Sequence, residues 1–428
     1  MAVYVLSGRQ TRVKWGVFKE PYIAYSNFLD NNGALARHTL IDDDWLEPNP
    51  YNSSGPPWRD LPYVRNVTVR TEAGVNELFA VGLDSYATME ETAIPFQEVT
   101  LDMILQPTVD VLDLFNAAIR WNVTSTDYAK QRINLHFVTV RLGIVGVPRI
   151  VSGQSGSELK DYGWIWDIYP GMISRVTARF TGGTFAEFSV TLQGGYIYIT
   201  SFDLTDPSQR NTFESLIPPM SYPLSAGVIN NFEGVVTFHP SVAGVVNFSH
   251  TGSPSTSQQP ISIPTEQISP FSDSKFGMEI QEFSLTVDNR LTPIYPFLKS
   301  TFPNTTEGVQ AWKTIRTYRG IFQGVSTVTG SLTALLPIPL PRGTLNQATA
   351  QEWAYTLNQQ LTQTTLDVLV SFFPYAGTGA QSLPANPILQ FAFYAVKFVN
   401  MGTGFTPQRE ITFSVDWRAI DMDVAVAH

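Results

Sequence analysis

Residues able to do acid–base, nucleophilic or metal chemistry are thinly spread in this sequence, and none falls into a spacing that such chemistry needs. The five histidines (His38, His136, His239, His250 and His428) include no pair at metal-ligand spacing and no HExxH motif. Cysteine is absent, which removes thiol nucleophiles, Cys-ligated metals and disulfides in one step. No Gly-Lys-Ser/Thr phosphate loop occurs. The run Ser152-Gly153-Gln154-Ser155-Gly156-Ser157 comes nearest to a GxSxG elbow, and its composition is that of a flexible loop. Asp42-Asp43-Asp44 lacks the alternating ligands and the following Glu of a calcium loop, so it reads as a solvated turn, as does Glu90-Glu91. The sequence singles out no two of its 37 acids as a glycosidase pair. The prediction is a protein that is not an enzyme and uses neither cofactor nor metal.

Chemistry of another kind, that of a wetted surface, is written in period two. Glu98, Thr100 and Asp102 alternate with Val99, Leu101 and Met103, while Thr327, Thr329, Ser331 and Thr333 alternate with Val328, Leu332 and Ala334. Glu187, Ser189 and Thr191, and then Thr412, Ser414 and Asp416, repeat the pattern. Antiparallel strands with one buried and one polar face produce this alternation. Composition points the same way: 30 Gly, 29 Pro and 12% aromatic residues favour strands and turns, and 15% charged residues is below the ~25% of a typical soluble domain. A mainly β fold follows, and 428 residues suffice for two or three domains. The formal charge of −10 argues against a tight nucleic-acid binder, which needs clustered Lys and Arg to displace counterions. Met1–Arg9 has no basic region ahead of a long apolar run, and no stretch approaches the ~18 apolar residues of a membrane helix. No membrane partner is expected.

The elements that carry these faces recur in two halves. Asn66–Thr71 is echoed by Glu282–Asn289, and Val99–Leu105 by Gly330–Leu336. Thr108–Phe115 is echoed by Thr365–Phe372; each reads as a helix start with a Thr cap and an acid in the first turn. Leu135–Val145 with Phe185–Leu192 is echoed by Leu389–Val399 with Glu410–Trp417. Four blocks in one order indicate a duplication. The predicted organisation is an irregular N-terminal arm over 1–58 and a first β domain over 59–205. An inserted hairpin (Gly234–His239 with Val242–Phe248) and a Pro/Ser/Gln-rich linker follow over 206–274, then a second β domain over 275–428. An arm of this kind is expected to pack on a neighbouring subunit.

The run Phe276–Asn289, with Phe283-Ser284 followed by Asp288-Asn289, and the later Val328-Thr329-Gly330-Ser331 resemble the strands of tail tube proteins of long-tailed bacteriophages. The resemblance covers about residues 276–420, and 62–200 more weakly through the repeat. It implies two tandem tail-tube-type β-barrels or sandwiches, each with a flanking α-helix, as in duplicated tube subunits that form a homotrimeric, pseudo-hexameric ring. It further implies stacked rings in a virion tail assembled in the host cytoplasm, DNA only in non-specific transit, and contacts with tape measure, baseplate, terminator and possible sheath proteins. In that frame Glu98, Thr100, Asp102, Thr327, Thr329, Ser331 and Thr333 are the channel-lining candidates, with hydroxyls to wet the wall and acids to repel phosphate. Two alternatives stand beside it. One is a baseplate or tube-initiator protein of the same fold; the other is a carbohydrate-binding tail-tip module using Trp164 and Trp166, flanked by Tyr162 and Tyr169.

Overall fold

Period-two alternation becomes strands in both halves of the chain. The computed structural model describes residues 3–6, 11–19, 40–49, 56–61, 63–72, 75–79, 86–91, 96–106, 108–119, 137–149, 161–219, 234–241, 279–294, 320–335, 365–373, 387–404 and 412–426. The strands of the first part are β1 (Val3–Leu6), β2 (Arg12–Val17), β3 (Arg59–Asp60), β4 (Val64–Glu72), β5 (Val75–Phe79), β6 (Tyr86–Glu91), β7 (Phe96–Ile104), β8 (Val138–Arg149), β9 (Tyr162–Thr181), β10 (Glu187–Asp203) and β11 (Gly234–Pro240). Those of the second are β12 (Glu279–Asp288), β13 (Leu291–Ile294), β14 (Gly320–Gln323), β15 (Thr327–Leu335), β16 (Leu366–Phe372), β17 (Leu389–Gly404), β18 (Thr412–Ala419) and β19 (Asp421–Val426). Helices α1 (Val109–Ala118) and α2 (Pro207–Leu216) and a single 3-10 turn at Asp43–Trp45, capped by Asp42, complete the described elements. The fold is mainly β, as the sequence predicts.

One antiparallel sheet takes strands from both halves, in the order β11-β16-β17-β18-β15-β12-β9-β10-β7-β4. Two hairpins, β5–β6 and β13–β14, stand apart from it. Within the sheet, β4-β7-β10-β9 is followed by β12-β15-β18-β17, and the bulges repeat with the strands. On β4 the pairing steps from Val64↔Met103 to Asn66↔Asp102, and on β12 from Ile280↔Ala334 to Glu282↔Thr333. A second bulge separates Thr191 from Leu192 against β9, and its counterpart separates Phe398 from Met401 against β18. Bulges fix register because one extra residue reverses the face of everything beyond it.

The long strand β9 is shared by two neighbours along one edge. Its first part pairs with β8, its last part with β12, and β10 runs along the other edge throughout. In the second half β18 and β19 together line one edge of β17, and β16 lines the first part of the other. β17 therefore matches β9, not the Leu135–Val145 run. By position β16 matches β8, which corrects the reading of Thr365–Phe372 as a helix. Every residue of β16 is buried, and the Asp367 carboxylate accepts the Ala395 amide at 2.8 Å instead of sitting in a helical first turn. A segment covered on both faces gains more from ladder bonds and apolar contact than from local helix signals. The other predicted helix forms: Thr108 caps α1 by accepting from Val111 N–H, and Asp110 occupies the first turn.

Apolar faces meet in one large core. Phe115 of α1 stacks on Phe188 at 4.6 Å, Phe180 on Phe372 at 4.5 Å, and Phe393 lies 4.7 Å from Trp417. Thus β16 and the first part of β17 fold over the apolar face of β9, β10 and β12. Gly330 is required where Trp417 and the Ser284 carbonyl crowd its Cα, since a Cβ there would overlap both.

Two expectations about the connecting segments change. β11 pairs with β16 through Phe238↔Val368, while Val242–Phe248 and the 253–274 linker lie outside the described residues. The N-terminal segment is not only an irregular arm: β2 pairs with β8 and buries Val13, Trp15 and Val17 in this chain's own core. Residues 40–49 and 56–61 are held down by polar contacts. Arg141 and Asp167 form a fully buried bidentate pair at 2.7 Å, Arg141 also donates to the Ile41 carbonyl, and Asp167 accepts the Ile41 amide. Beside α1, Arg59 pairs with Asp113 at 2.6 Å, and Asp110 accepts from Asp60 N–H and the Asn49 side chain.

Burial lifts the Asp110 carboxyl from its ordinary value to about 6; the Asp60 carboxylate adds to the rise, and hydrogen bonds from Asp60 and Asn49 oppose it. Since the folded value lies above the unfolded one, the folded chain holds an extra proton between roughly pH 4 and 6. The corresponding stabilisation is full below that window and lost as pH rises through it. Relative to Asp110→Asn, the native chain is expected to lose about 2 kcal/mol between pH 4 and 7 in urea denaturation. A pH-independent difference would contradict this assignment.

Candidate functional site

The candidate surface is the polar face of the sheet, and cross-strand register builds it in rows. Val99, Leu101, Met103, Val328, Leu332 and Ala334 are buried, so the residues alternating with them point to the other side. Glu98, Thr100, Asp102, Thr327, Thr329, Ser331 and Thr333 are each partly exposed there. One row runs Asn66, Asp102, Ser189, Thr177, Thr286, Thr329, Arg418, Lys397; another runs Thr68, Thr100, Thr191, Arg175, Asp288, Thr327. Asp102 and Thr329 thus lie in a single row across both halves, with Thr100 and Thr327 in the next. Ser331 and Thr333 sit one and two strand pairs further toward the opposite end, and Glu98 lies beyond Thr100 opposite Arg70 and Gln193.

Side chains on this face bond mainly to one another. Asp102 accepts from Ser189 at 2.7 Å and from Asn66 at 3.2 Å. Hydroxyl pairs form at Thr100–Thr191 (3.3 Å), Ser284–Ser331 (2.8 Å) and Thr333–Ser414 (3.3 Å). Where β9 meets β12, Arg175 pairs with Asp288 at 3.1 Å and Arg179 with Glu282 at 2.9 Å. The Glu282 carboxylate in turn holds the Arg179 guanidinium above its ordinary pKa. Between β4 and β10 a looser pair joins Arg65 to Glu187 at 3.6 Å. The face is hollowed across this region, with about 390 Å³ of open space lined by Arg65, Asp102, Thr177, Arg179, Ser189 and Ser284 among others.

Sequence reasoning missed the basic residues. Reading only Glu98 and Asp102 gives a wall that repels phosphate, whereas the structure sets Arg65, Arg175 and Arg179 beside carboxylates, so the charge is compensated locally. The signal was available: Arg175 and Arg179 alternate with buried Val176, Ala178 and Phe180 in the same period two. Part of this face is satisfied in its own hydrogen bonds and ion pairs, while Arg70, Arg418 and Lys397 stand exposed on the same strands. Among the described residues no cluster of three His, Asp or Glu side chains is placed to hold a metal ion. Trp166 packs against the main core, and Tyr162 and Trp164 lie 6.1 Å apart with their rings tilted.

No protein-family model matches the chain, and comparison with curated proteins finds no match either. Among solved structures the chain is similar to the anti-feeding prophage cap, a tube-terminating cap, at 10% identity and a TM-score of 0.22. The match covers 49% of this chain and 95% of the cap.

Proposed function

We propose that this chain is a structural subunit of a bacteriophage-type tail, and that copies associate into trimeric, pseudo-six-fold rings that stack as a tube. The polar face lines the channel, and the apolar face forms the wall's interior with α1 and the β16–β17 layer. One observation carries the reading: a duplicated, continuous sheet whose polar face is hollowed and lined by hydroxyls and locally paired charges. Duplex DNA is gripped by clustered Lys and Arg that release counterions. Arginines paired with carboxylates, as at Arg175–Asp288 and Arg179–Glu282, and hydroxyls bonded to each other hold a passing phosphate less than a cluster of free cations would, which favours sliding over sticking.

Negative-stain microscopy of the purified chain tests this. Hollow rings or tubes with a mass per ring of three chains are expected, together with no retention of duplex DNA at physiological salt. Compact monomers at high concentration would overturn the reading, and rings that never stack would favour a single-ring initiator of the same fold.

A further inference from the structure

The repeated sheet ends on two unequal edges. Along β9, the part beyond β8 is occupied by β12; along β17, the part beyond β16, residues 397–404, has no strand beside it among the described residues. At the far end of the sheet, β4 pairs among the described residues with β7 alone, whereas its counterpart β12 has β15 on one side and β9 on the other. Among the described residues, the place beside the last part of β17 is that of a β12-like strand, and β4 is a β12-like strand with one side unpaired. Burial agrees. Phe283 and Leu285 on β12 are 4% and 0% exposed, while Val67 and Val69 at the matching positions of β4 are only half-buried.

We infer that residues 400–404 of one chain pair antiparallel with β4 of a second copy, in the register that β9 and β12 use within the chain. This deepens the proposed function and rests on its self-association. The duplicated bulges set the register: Asn66 takes the place of Glu282 and Arg70 that of Thr286, while Gly402, opposite Ser414, takes the place of Thr177, opposite Ser189. Thr177 faces Thr286 inside the chain, so Gly402 faces Arg70 between chains, Gly404 faces Thr68 and Asn400 faces Glu72. A Cβ at Gly402 would meet nothing within 4 Å, so a side chain introduced there is accommodated on the face of the sheet. Each chain offers one edge of each kind, so the contact is head-to-tail and closes into a ring when the rotation permits. Exposed edges of this length otherwise template aggregation.

The two seams differ in chemistry. Inside the chain Arg175–Asp288 and Arg179–Glu282 bridge β9 to β12. Between chains Asn400 and Gly404 stand where those arginines would be, so backbone ladder bonds and the covered Val67 and Val69 hold the contact.

The natural absence of cysteine gives a direct test. Arg70→Cys and Gly402→Cys chains, each first checked for assembly by microscopy, are mixed and oxidised, and disulfide-linked dimers are read on non-reducing gels. Directly opposite residues lie within disulfide reach and those two positions out of register do not. Linkage is therefore expected to exceed that of a Thr68→Cys plus Gly402→Cys mixture about tenfold. Rings without linkage, or with preferential linkage in the displaced mixture, would overturn this register and leave the ring reading standing. Absence of any self-association in the native chain would overturn both.

Discussion

Arg141→Ala is expected to lower the unfolding free energy by about 3–5 kcal/mol, because it leaves the fully buried Asp167 side chain without its partner. Both side chains are essentially inaccessible, and the guanidinium also lies 4.1 Å above the Trp58 ring. Replacing a buried pair with apolar residues of similar size is often nearly neutral, which invites the double substitution Arg141→Met with Asp167→Leu. Here that rescue should be partial. Arg141 satisfies the Ile41 carbonyl at 2.8 Å and Asp167 the Ile41 amide at 2.9 Å, so two backbone groups would be orphaned at a cost of about 1–3 kcal/mol each. Urea denaturation of the dispersed chain reads the order: native, then the double variant, then Arg141→Ala. A double variant as stable as the native chain would show that the clamp on Ile41 contributes nothing.

Phe391→Ala should cost a similar amount, about 3–5 kcal/mol, by opening a cavity that its neighbours cannot fill. Phe391 is fully buried and touches rings from three other elements: Phe115 at 5.4 Å, Phe180 at 5.8 Å and Phe372 at 6.3 Å. Since these belong to α1, β9 and β16, the ring ties the second-half layer to the first-half sheet and no single element can move to close the gap. Phe391→Leu keeps most of the volume and should cost under about 1.5 kcal/mol. Phe185→Ala is the matched surface control: that ring is 49% exposed, and its loss should stay within about 0.5 kcal/mol. A midpoint shift at constant denaturant slope is the required signature.

How much of this was readable beforehand depends on whether the cause was local. Alternation in Glu98–Met103 and Thr327–Ala334 marked both strands and both faces, since period two needs no knowledge of the partner. Thr108 and Asp110 likewise announced α1 through its own cap. Thr365 and Asp367 carry the same local message and it is false there, because β11 and β17 enclose that segment on both edges and the core covers its faces. Trp15 was hidden in a turn-rich stretch, and its strand is held by ladders to β8 and β3 that lie far away in sequence. On the candidate face, the hydroxyls and two acids were visible as a pattern. The Arg175–Asp288 and Arg179–Glu282 pairs were not, for each joins residues more than a hundred positions apart through a register that only the folded sheet defines.

The junction of β9 with β12 also bears on how assembly depends on concentration. Two modules joined in one chain meet at an effective concentration set by their tether, independent of how much protein is present. In a ring of three such chains, half of the module-to-module seams are already made when the chain folds, and only the β17-to-β4 contacts wait on encounters in solution. Ring formation then scales with the third power of chain concentration, where six separate modules would face the sixth. A duplicated subunit can therefore close rings at a dilution where single modules would remain dispersed.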